Sequence, residues 1–438
     1  MGKLCFLVAS LILSLSFQCL FAQSEEQVTL SIEEMFELAD KNNIKIEYYK
    51  TSVEEAKASI TVAKNAYLPS IEASLSVSYN GDGTVMDRDF SHSFSAPIPS
   101  FGNNFSLKAS QLIFAGGLIR NSVKAAELHS QIALLETESS RQDIRFLIVG
   151  NFLELCKIEN QLQVFKSNIV QTERHLENMR LRFSEGTALE NDITRYELQL
   201  ENLNYSIIQL TNSKQILYNQ LTVALGLPLT ITIIPKIQNG EELQNISRSD
   251  WQSISCNRSP SIKIANVGVS LNKQRENIIR AERYPQIALF ATNQLIGPVT
   301  IDIPSINKNF NYWAVGVGIK YNLDNLYKTD KKIRTQQLAI QKALNEKSIV
   351  EENILLSTEA AHIRFIEAYS LLETKEKSLE LANQNYEVIS YQYENDLALI
   401  SDLLDATSQK LDAELQTVNS KINIIYNYYK LKYISGTL

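Results

Sequence analysis

Two carboxylates, Asp402 and Asp405, are the side chains whose type and spacing first suggest chemistry. They lie three residues apart in the stretch "YQYENDLALISDLLDA" over 391–406. Paired carboxylates serve as general acid and base in many enzymes. On a helix, residues three apart share one face, and an aspartate near a helix N-terminus is stabilised by the helix dipole. The pair is therefore compatible with an active site, a helix cap, or another use of two acids on one face.

No further catalytic or metal-binding pattern accompanies the pair. The histidines lie far apart, without ligand spacing such as HExxH, at His92, His129, His175 and His362. The sequence around the two acids is typical of a coiled coil rather than of a pocket. The pattern therefore predicts a protein that is not an enzyme and that uses neither a metal nor a cofactor.

The composition favours a helical protein. The 438 residues include only 15 glycines and 9 prolines, roughly half the usual share of each. A chain so poor in turn formers is expected to consist mostly of long helices. Its net charge of −7 disfavours nucleic acid as a partner, because nucleic-acid binding needs a basic surface.

The first residues predict a secretory signal peptide over 1–22. Lys3 supplies the positive start, an apolar run follows, and Ala22 is the small residue before the expected cut. The run is too short and too interrupted by polar residues for a membrane span of about 20 residues. Cys156 and Cys256 remain after cleavage, and a disulfide between them is left open for an exported protein.

The chain repeats internally, which dictates the architecture. The segment "RFSEGTALENDI" at 182–193 aligns without a gap with "QYENDLALISDL" at 392–403. We predict a first repeat over 23–227, an inter-repeat segment over 228–260 and a second repeat over 261–438. Helices are expected at 31–66, 117–183, 190–225, 261–284, 326–394 and 400–436, and strands at about 70–80, 104–114, 286–295 and 311–323.

Apolar residues in the long helices recur every 3.5 residues on average, which predicts left-handed coiled coils. The inward positions predicted before the first turn are Phe152, Leu155, Ile158, Leu162, Phe165, Ile169, Thr172, Leu176, Met179 and Phe183. Helical hairpins are expected to turn at 184–189 and 394–399, the two hairpin tips, where Gly186 and Asn395–Asp396 are turn formers.

The four predicted strands alternate between apolar and polar residues. In "WAVGVGIKYNL" at 313–323, for example, Trp313, Val315 and Val317 alternate with small or polar residues. The pattern suits a transmembrane barrel with a wet lumen, and it suits a half-buried soluble sheet equally well. Because a membrane barrel needs at least about 8 strands and an open edge is forbidden in lipid, four membrane strands would require several chains to share one barrel.

The order and duplication of these pieces resemble the TolC-type outer-membrane efflux proteins, the outer membrane factors. The resemblance covers nearly the whole mature chain. Its pieces are "LSIEEMFELADKNN" at 30–43, "AYLPSIEASLSVSY" at 66–79, "QLIFAGGLIRNSVKAAEL" at 111–128, "RFSEGTALENDI" at 182–193, "LTVALGLPL" at 221–229 and "YENDLALISDLLDA" at 393–406.

The resemblance implies the architecture and the partners. Three protomers, each with four strands, would form one 12-stranded outer-membrane β-barrel, continued by a long α-helical periplasmic barrel. The segment over 228–260 would belong to an equatorial belt. The implied partners are outer-membrane lipid, a periplasmic adaptor (membrane fusion protein) and an inner-membrane pump of the RND, ABC or MFS type. The implied localisation is the outer membrane with an extension into the periplasm.

The resemblance also implies roles for individual residues. Asp402 and Asp405 would line the narrow periplasmic pore mouth, where rings of acids favour cations, and Asp192 and Tyr393 would help to hold the closed mouth. A basic residue that completes this latch in some relatives is replaced here by Ala398. Adaptor contact is expected at the hairpin tips, through Gly186, Thr187, Ala188, Leu189, Asp396, Leu397, Ala398 and Leu399.

Three functions follow from these observations. The first is a passive exit duct for small molecules in a tripartite efflux system. The second, within the same class, is the duct of type I protein secretion. The third is of a different class, a periplasmic coiled-coil scaffold or adaptor that never enters the membrane, and it leaves the four alternating strands unexplained.

Overall fold

The computed structural model describes residues 26–236, 247–301, 305–395 and 397–438. The predicted signal peptide and Asp396 lie outside these ranges, as does part of the inter-repeat segment. Among the described residues, no helix combines the length and the apolarity needed to cross a bilayer.

Helices make up most of the described chain. They are α1 (Ile32–Asn42), α2 (Ile44–Lys64), α3 (Leu118–Ser184), α4 (Glu190–Ala224), α5 (Arg248–Arg258), α6 (Pro260–Ala281), α7 (Asn325–Glu394) and α8 (Ile400–Ile434). The strands are β1 (Glu26–Leu30), β2 (Ser70–Tyr79), β3 (Gly83–Met86), β4 (Ser93–Ala96), β5 (Phe101–Phe114), β6 (Ile231–Pro235), β7 (Gln286–Gly297) and β8 (Phe310–Lys320).

The single helix predicted over 31–66 is two helices that meet at Asn43. The Asn43 side-chain oxygen accepts hydrogen bonds from the backbone N–H groups of Lys45 and Ile46, at 2.9 and 3.2 Å, and so caps α2. Its amide nitrogen donates to the carbonyl of Ala224 at 2.7 Å. The break arises because one asparagine satisfies backbone groups of two helices at once.

The chain divides into two compact units, and each draws on both predicted repeats. The first contains described residues from 26–49, 137–260 and 351–438, and the second comprises 50–136 and the described residues of 261–350. In the first unit, β1 pairs with β6 in parallel. Its main apolar core is built from α1, α3, α4, α7 and α8, with Met35, Ile148, Leu155, Leu221 and Leu431 fully buried.

The predicted inward positions of α3 are buried or half-buried over 152–179, and the pattern changes at the end of the helix. Phe152, Leu155 and Ile158 are buried, as are Leu176 and Met179. The predicted inward position of Phe183 is wrong, because this ring is 45 % exposed while the neighbouring Arg182 is half-buried.

The second unit contains a four-stranded antiparallel sheet in the order β2-β5-β7-β8. Residues directly opposite each other on paired strands share a face. Leu75, Phe105 and Leu295 are such a row, and Glu72, Lys108 and Thr292 form a row on the other face. The predicted alternation is therefore continuous across the sheet.

The apolar face of the sheet is exposed in a single chain. Trp313, for example, is 75 % exposed. The exposed apolar side chains on this face are Ile71, Leu75, Val77, Tyr79, Phe105, Leu107, Leu289, Trp313, Val315, Val317 and Ile319. Exposed apolar patches of this kind mark an interaction with lipid or with another protein.

Phe290 interrupts the pattern of β7 for a structural reason. It lies on the face that is otherwise mostly polar, opposite Gly316. A Cβ atom at Gly316 would lie 2.8 Å from the Phe290 ring, and one at Gly318 would lie 3.7 Å from it. The ring thus occupies the space that side chains at these two positions would take.

We predict that Gly226→Ala destabilises the first unit by about 1–3 kcal/mol. Gly226 has φ +66°, and an added Cβ would lie 2.3 Å from the carbonyl oxygen of Asn42. The matched control is Gly150→Ala in α3, where an added Cβ meets nothing within 4 Å and should stabilise by roughly 0.5–1 kcal/mol. Thermal unfolding followed by circular dichroism measures both, and equal melting temperatures for Gly226→Ala and the parent would contradict the prediction.

Candidate functional site

The two hairpin tips are closed by the same backbone hydrogen bond. Thr187 N–H donates to the Arg182 carbonyl at 2.9 Å, and Leu397 N–H donates to the Gln392 carbonyl at 2.8 Å. Gly186 has φ +76°, the left-handed conformation expected after a helix C-terminus. Leu189, Leu397 and Leu399 are exposed, and Ala188 and Ala398 are half-buried. The tips therefore present apolar side chains to solvent.

Asp192 and Asp402 each cap the helix that leaves a tip. The Asp192 carboxylate accepts from Leu189 N–H at 3.3 Å, and the Asp402 carboxylate accepts from Leu399 N–H at 3.1 Å. These bonds satisfy N–H groups that have no partner within the helix. Asp402 therefore caps α8, as one of the interpretations of the sequence predicted.

Asp405 makes no such cap. Its carboxylate accepts from the Gln409 side-chain amide at 2.7 Å, one turn further along α8. Asp402 and Asp405 are both exposed, and so is Arg195, which occupies the position in α4 that corresponds to Asp405 in α8. Helix capping thus explains Asp402 and leaves Asp405 without a structural role in one chain.

A buried cluster joins the two hairpins close to their tips. Leu176 and Met179 of α3, Tyr196 of α4, Tyr386 of α7, and Ile400 and Leu403 of α8 are its fully packed members. Burial raises the pKa of Tyr196, and the nearby Tyr393 and Asp192 raise it further. The hairpins of one chain are therefore held together by apolar and aromatic packing.

Tyr393 contacts the first hairpin within the same chain. Its hydroxyl donates to the sulfur of Met179 at 3.3 Å, and the Arg182 guanidinium lies 5.5 Å from the centre of its ring. A cation over an aromatic face is attracted by the ring quadrupole. The basic residue that contacts Tyr393 is therefore Arg182 of α3. The replacement of a basic residue by Ala398 gave no indication of this role.

A hydrogen-bonded chain lies one heptad above Tyr393. The Gln171 amide donates to the Tyr386 hydroxyl. Burial raises the pKa of Tyr386, and the hydrogen bonds with Ser390 and Gln171 partly oppose this shift. His175 Nε2 lies 3.0 Å from the same oxygen, and its ring stacks on Tyr196 with centroids 5.8 Å apart. Burial favours the neutral form of His175, whose Nε2 is then able to accept the proton of the Tyr386 hydroxyl.

The remaining candidate groups are isolated. Cys156 and Cys256 are free thiols, one buried and one exposed, and burial raises the pKa of Cys156 to about 12. Within the described ranges, no three His, Cys, Asp or Glu side chains are grouped so as to hold a metal ion. Because both thiols are free, the disulfide that the sequence analysis left open is not formed in this structure.

The fold is similar to that of solved outer-membrane channels. The outer membrane protein VceC from Vibrio cholerae has a TM-score of 0.76 at 15 % identity, covering 92 % of this chain and 96 % of that one. The CmeC outer membrane channel of Campylobacter jejuni has a TM-score of 0.77 at 15 % identity, covering 93 % and 85 %. The open MtrE channel of Neisseria gonorrhoeae has 0.72 at 14 %, covering 92 % and 88 %. A comparison with curated protein sequences returns no match.

This chain therefore shares the fold of these outer-membrane channels. Residues 36–227 match the outer membrane efflux protein family, which confirms the TolC-type resemblance found in the sequence. The expected fold class, mostly helical with a small sheet part, is confirmed. The family also confirms the predicted localisation in the outer membrane with an extension into the periplasm, and its members are channels rather than enzymes.

We predict that acid loosens the contact between the hairpins through His175. Burial lowers the pKa of His175 below its ordinary 6.5, against an opposing effect of Glu394. A folded pKa below the unfolded one means that the stabilisation is complete above about pH 6.5 and is lost as the pH falls. Protonated His175 could not accept from Tyr386, and Lys410 already places a cation 4.6 Å from the Tyr386 ring centre.

Amide hydrogen exchange over 171–182, corrected for intrinsic rates, tests this at about pH 7.5 and about pH 5.5. The parent should exchange faster in acid, by at most about tenfold per pH unit, and His175→Gln should not. His362→Gln, a half-buried histidine of α7, is the control and should behave like the parent. Equal acid responses of His175→Gln and the parent would contradict the prediction.

Proposed function

We propose that three copies of this chain form the outer-membrane exit duct of a tripartite efflux system, which passively conducts small molecules. The observation that carries the proposal is the four-stranded sheet with one exposed apolar face. The family match and the fold of outer-membrane channels support it. The oligomeric state, the partners and the substrate class are parts of the proposal.

The edges of the sheet argue for a shared barrel. Among the described residues, β2 and β8 each have one strand neighbour, so each leaves a row of backbone groups unpaired. Such edges are not tolerated in lipid. If β2 of one protomer pairs with β8 of the next, three chains of four strands close a 12-stranded barrel, with the apolar face towards lipid and the face of Glu72 and Lys108 towards the lumen.

The hairpin tips are the proposed contact with a periplasmic adaptor. Leu397 is 75 % exposed and Leu399 and Leu189 are similarly uncovered, and exposed leucines at a turn favour burial against a partner. The adaptor would connect the duct to an inner-membrane pump of the RND, ABC or MFS type. Small molecules are favoured over secreted proteins because most ducts of this family serve efflux.

Asp402 and Asp405 are proposed to line the pore mouth. Three protomers would bring six of these carboxylates together, and rings of acids attract cations. Asp405 supports the role best, since it is exposed and caps no helix. Tyr393 and Asp192 are proposed as gate contacts, with Arg182 as the cation on Tyr393 in place of a base at position 398.

A periplasmic scaffold is the alternative from a different class. It would account for the coiled coils but not for an exposed apolar sheet face. Membrane fractionation with native mass spectrometry of the detergent-purified protein separates the two. A heat-modifiable trimer in the outer-membrane fraction is expected, and a soluble periplasmic monomer would overturn the proposed duct.

We predict that Asp402→Asn with Asp405→Asn lowers the cation preference of the channel by at least about twofold. Asparagine removes the charge but keeps an oxygen that accepts the Leu399 N–H, so α8 remains capped. Reversal potentials in planar bilayers under a salt gradient measure the change. Asp412→Asn is the control, since Asp412 is exposed on α8 and pairs with Gln416 two turns from the mouth. An unchanged reversal potential in the double variant would leave Asp402 as a cap only.

A further inference from the structure

The face of the sheet that carries Glu72 and Lys108 has two different halves. On β7 and β8 it carries Phe290, Tyr312 and Phe310, which we call the aromatic strip. Residues directly opposite each other on paired strands share a face, so both halves belong to one continuous surface. On β2 and β5 this surface carries the two charges and the serines Ser70, Ser74, Ser76, Ser78, Ser106 and Ser110.

The Phe290 ring is held against the backbone of β8. Three of its atoms lie 2.8, 3.0 and 3.6 Å from the position that a Cβ at Gly316 would take, and two lie 3.7 and 3.9 Å from the equivalent position at Gly318. The ring therefore covers two residues that have no side chain. It is nonetheless 40 % exposed, so the side of the ring that faces away from β8 is open to a ligand.

Tyr312 is fixed by hydrogen bonds that run across the strands. Its hydroxyl donates to Gln294 Oε1 at 2.6 Å, and the Gln294 amide donates to Asn104 Oδ1 at 3.2 Å. Phe310, two residues away on β8, stacks on Tyr312 with ring centroids 5.6 Å apart. Both rings therefore hold their orientation without a ligand, which lowers the entropy cost of binding one.

The aromatic strip is long and uncovered. Phe310 and Gly316 are six residues apart on β8, which corresponds to roughly 20 Å. Tyr312 is 40 % exposed and Phe310 is 52 % exposed. In the proposed duct this face lines the lumen, and closure of the barrel would place each aromatic strip between two polar strips. Exposed rings that neither pack in a core nor face lipid mark a binding surface.

Charges of both signs lie in one row beside the strip. Glu72 is directly opposite Lys108, and Lys108 is opposite Thr292, in the row between those of Tyr312 and Phe290. This row can pair with a cation or with an anion, so it selects neither. The rings, in contrast, attract other aromatic rings, which stack at centroid distances of about 4.5–7 Å.

We infer that the aromatic strip is a weak binding site for small molecules that carry an aromatic ring, whatever their charge, as they pass through the lumen. Weak binding suits a conducting pathway, because a substrate must both enter a site and leave it. The inference rests on the proposed function, which makes this face the lumen, and it names the substrate class that the duct favours.

Ion-current block in planar bilayers tests the inference in the full-length trimer. The probes are benzyltrimethylammonium and its saturated analogue (cyclohexylmethyl)trimethylammonium, which have the same charge and a similar shape. In the parent, half-block should need at least about threefold less of the aromatic probe. Phe290→Leu and Tyr312→Leu should each bring the ratio of the two half-block concentrations closer to one, since leucine keeps the surface apolar without a ring.

Phe105→Leu is the matched control, because Phe105 is a ring of the same sheet on the opposite face, and it should leave the ratio at the parent value. Single-channel conductance shows whether each variant still inserts, and Phe310→Leu is a third variant of the strip should one of the others fail to do so. A parent ratio of one, or a parent ratio retained in the strip variants that insert, would overturn the inference while leaving the duct intact. The absence of channels from the parent would overturn the proposed function itself.

Discussion

Within the described ranges, the two edge strands of the four-stranded sheet leave backbone hydrogen-bonding groups unpaired, and the proposed assembly depends on this constraint. In lipid, the two open edges of a four-stranded sheet would leave polar backbone groups without hydrogen-bond partners. In water, its apolar face would remain exposed to solvent. Both requirements are met if other chains supply the missing strands. The family match and the fold of known channels are consistent with this solution.

The internal duplication is visible in the geometry of the two helical hairpins. The hairpins share their tip closure, helix length and capping acids, yet they differ at particular positions. Arg195 stands where Asp405 would be, and exposed Phe183 stands where Tyr393 is packed. The two hairpins therefore carry different side chains at equivalent positions, although both contribute to the buried cluster that joins them. They consequently differ in the contacts they make, although their sequences repeat one pattern.

Most elements could be predicted because their periodicity is local. The ends of α3, α4, α7 and α8 lie within two residues of the predicted limits, since heptads and turn residues act within a few positions of each other. The break at Asn43 was missed even though its capping bonds to Lys45 and Ile46 are local, and only the structure shows the further bond from Asn43 to Ala224. The inward position of Phe183 was wrong because Arg182 takes the place on Tyr393, a preference that only the neighbouring hairpin creates.

The sequence alone determined the helical class, the duplication, the alternating strands and the candidate acids, because these depend on residue type and spacing. The tertiary structure decided what those residues touch. It showed that Asp402 is a cap and Asp405 is not, that a cation reaches Tyr393 from Arg182 rather than from position 398, and that His175 lies between two tyrosines. These outcomes depend on which faces of distant helices are brought together, and packing of this kind leaves no local signal in the chain.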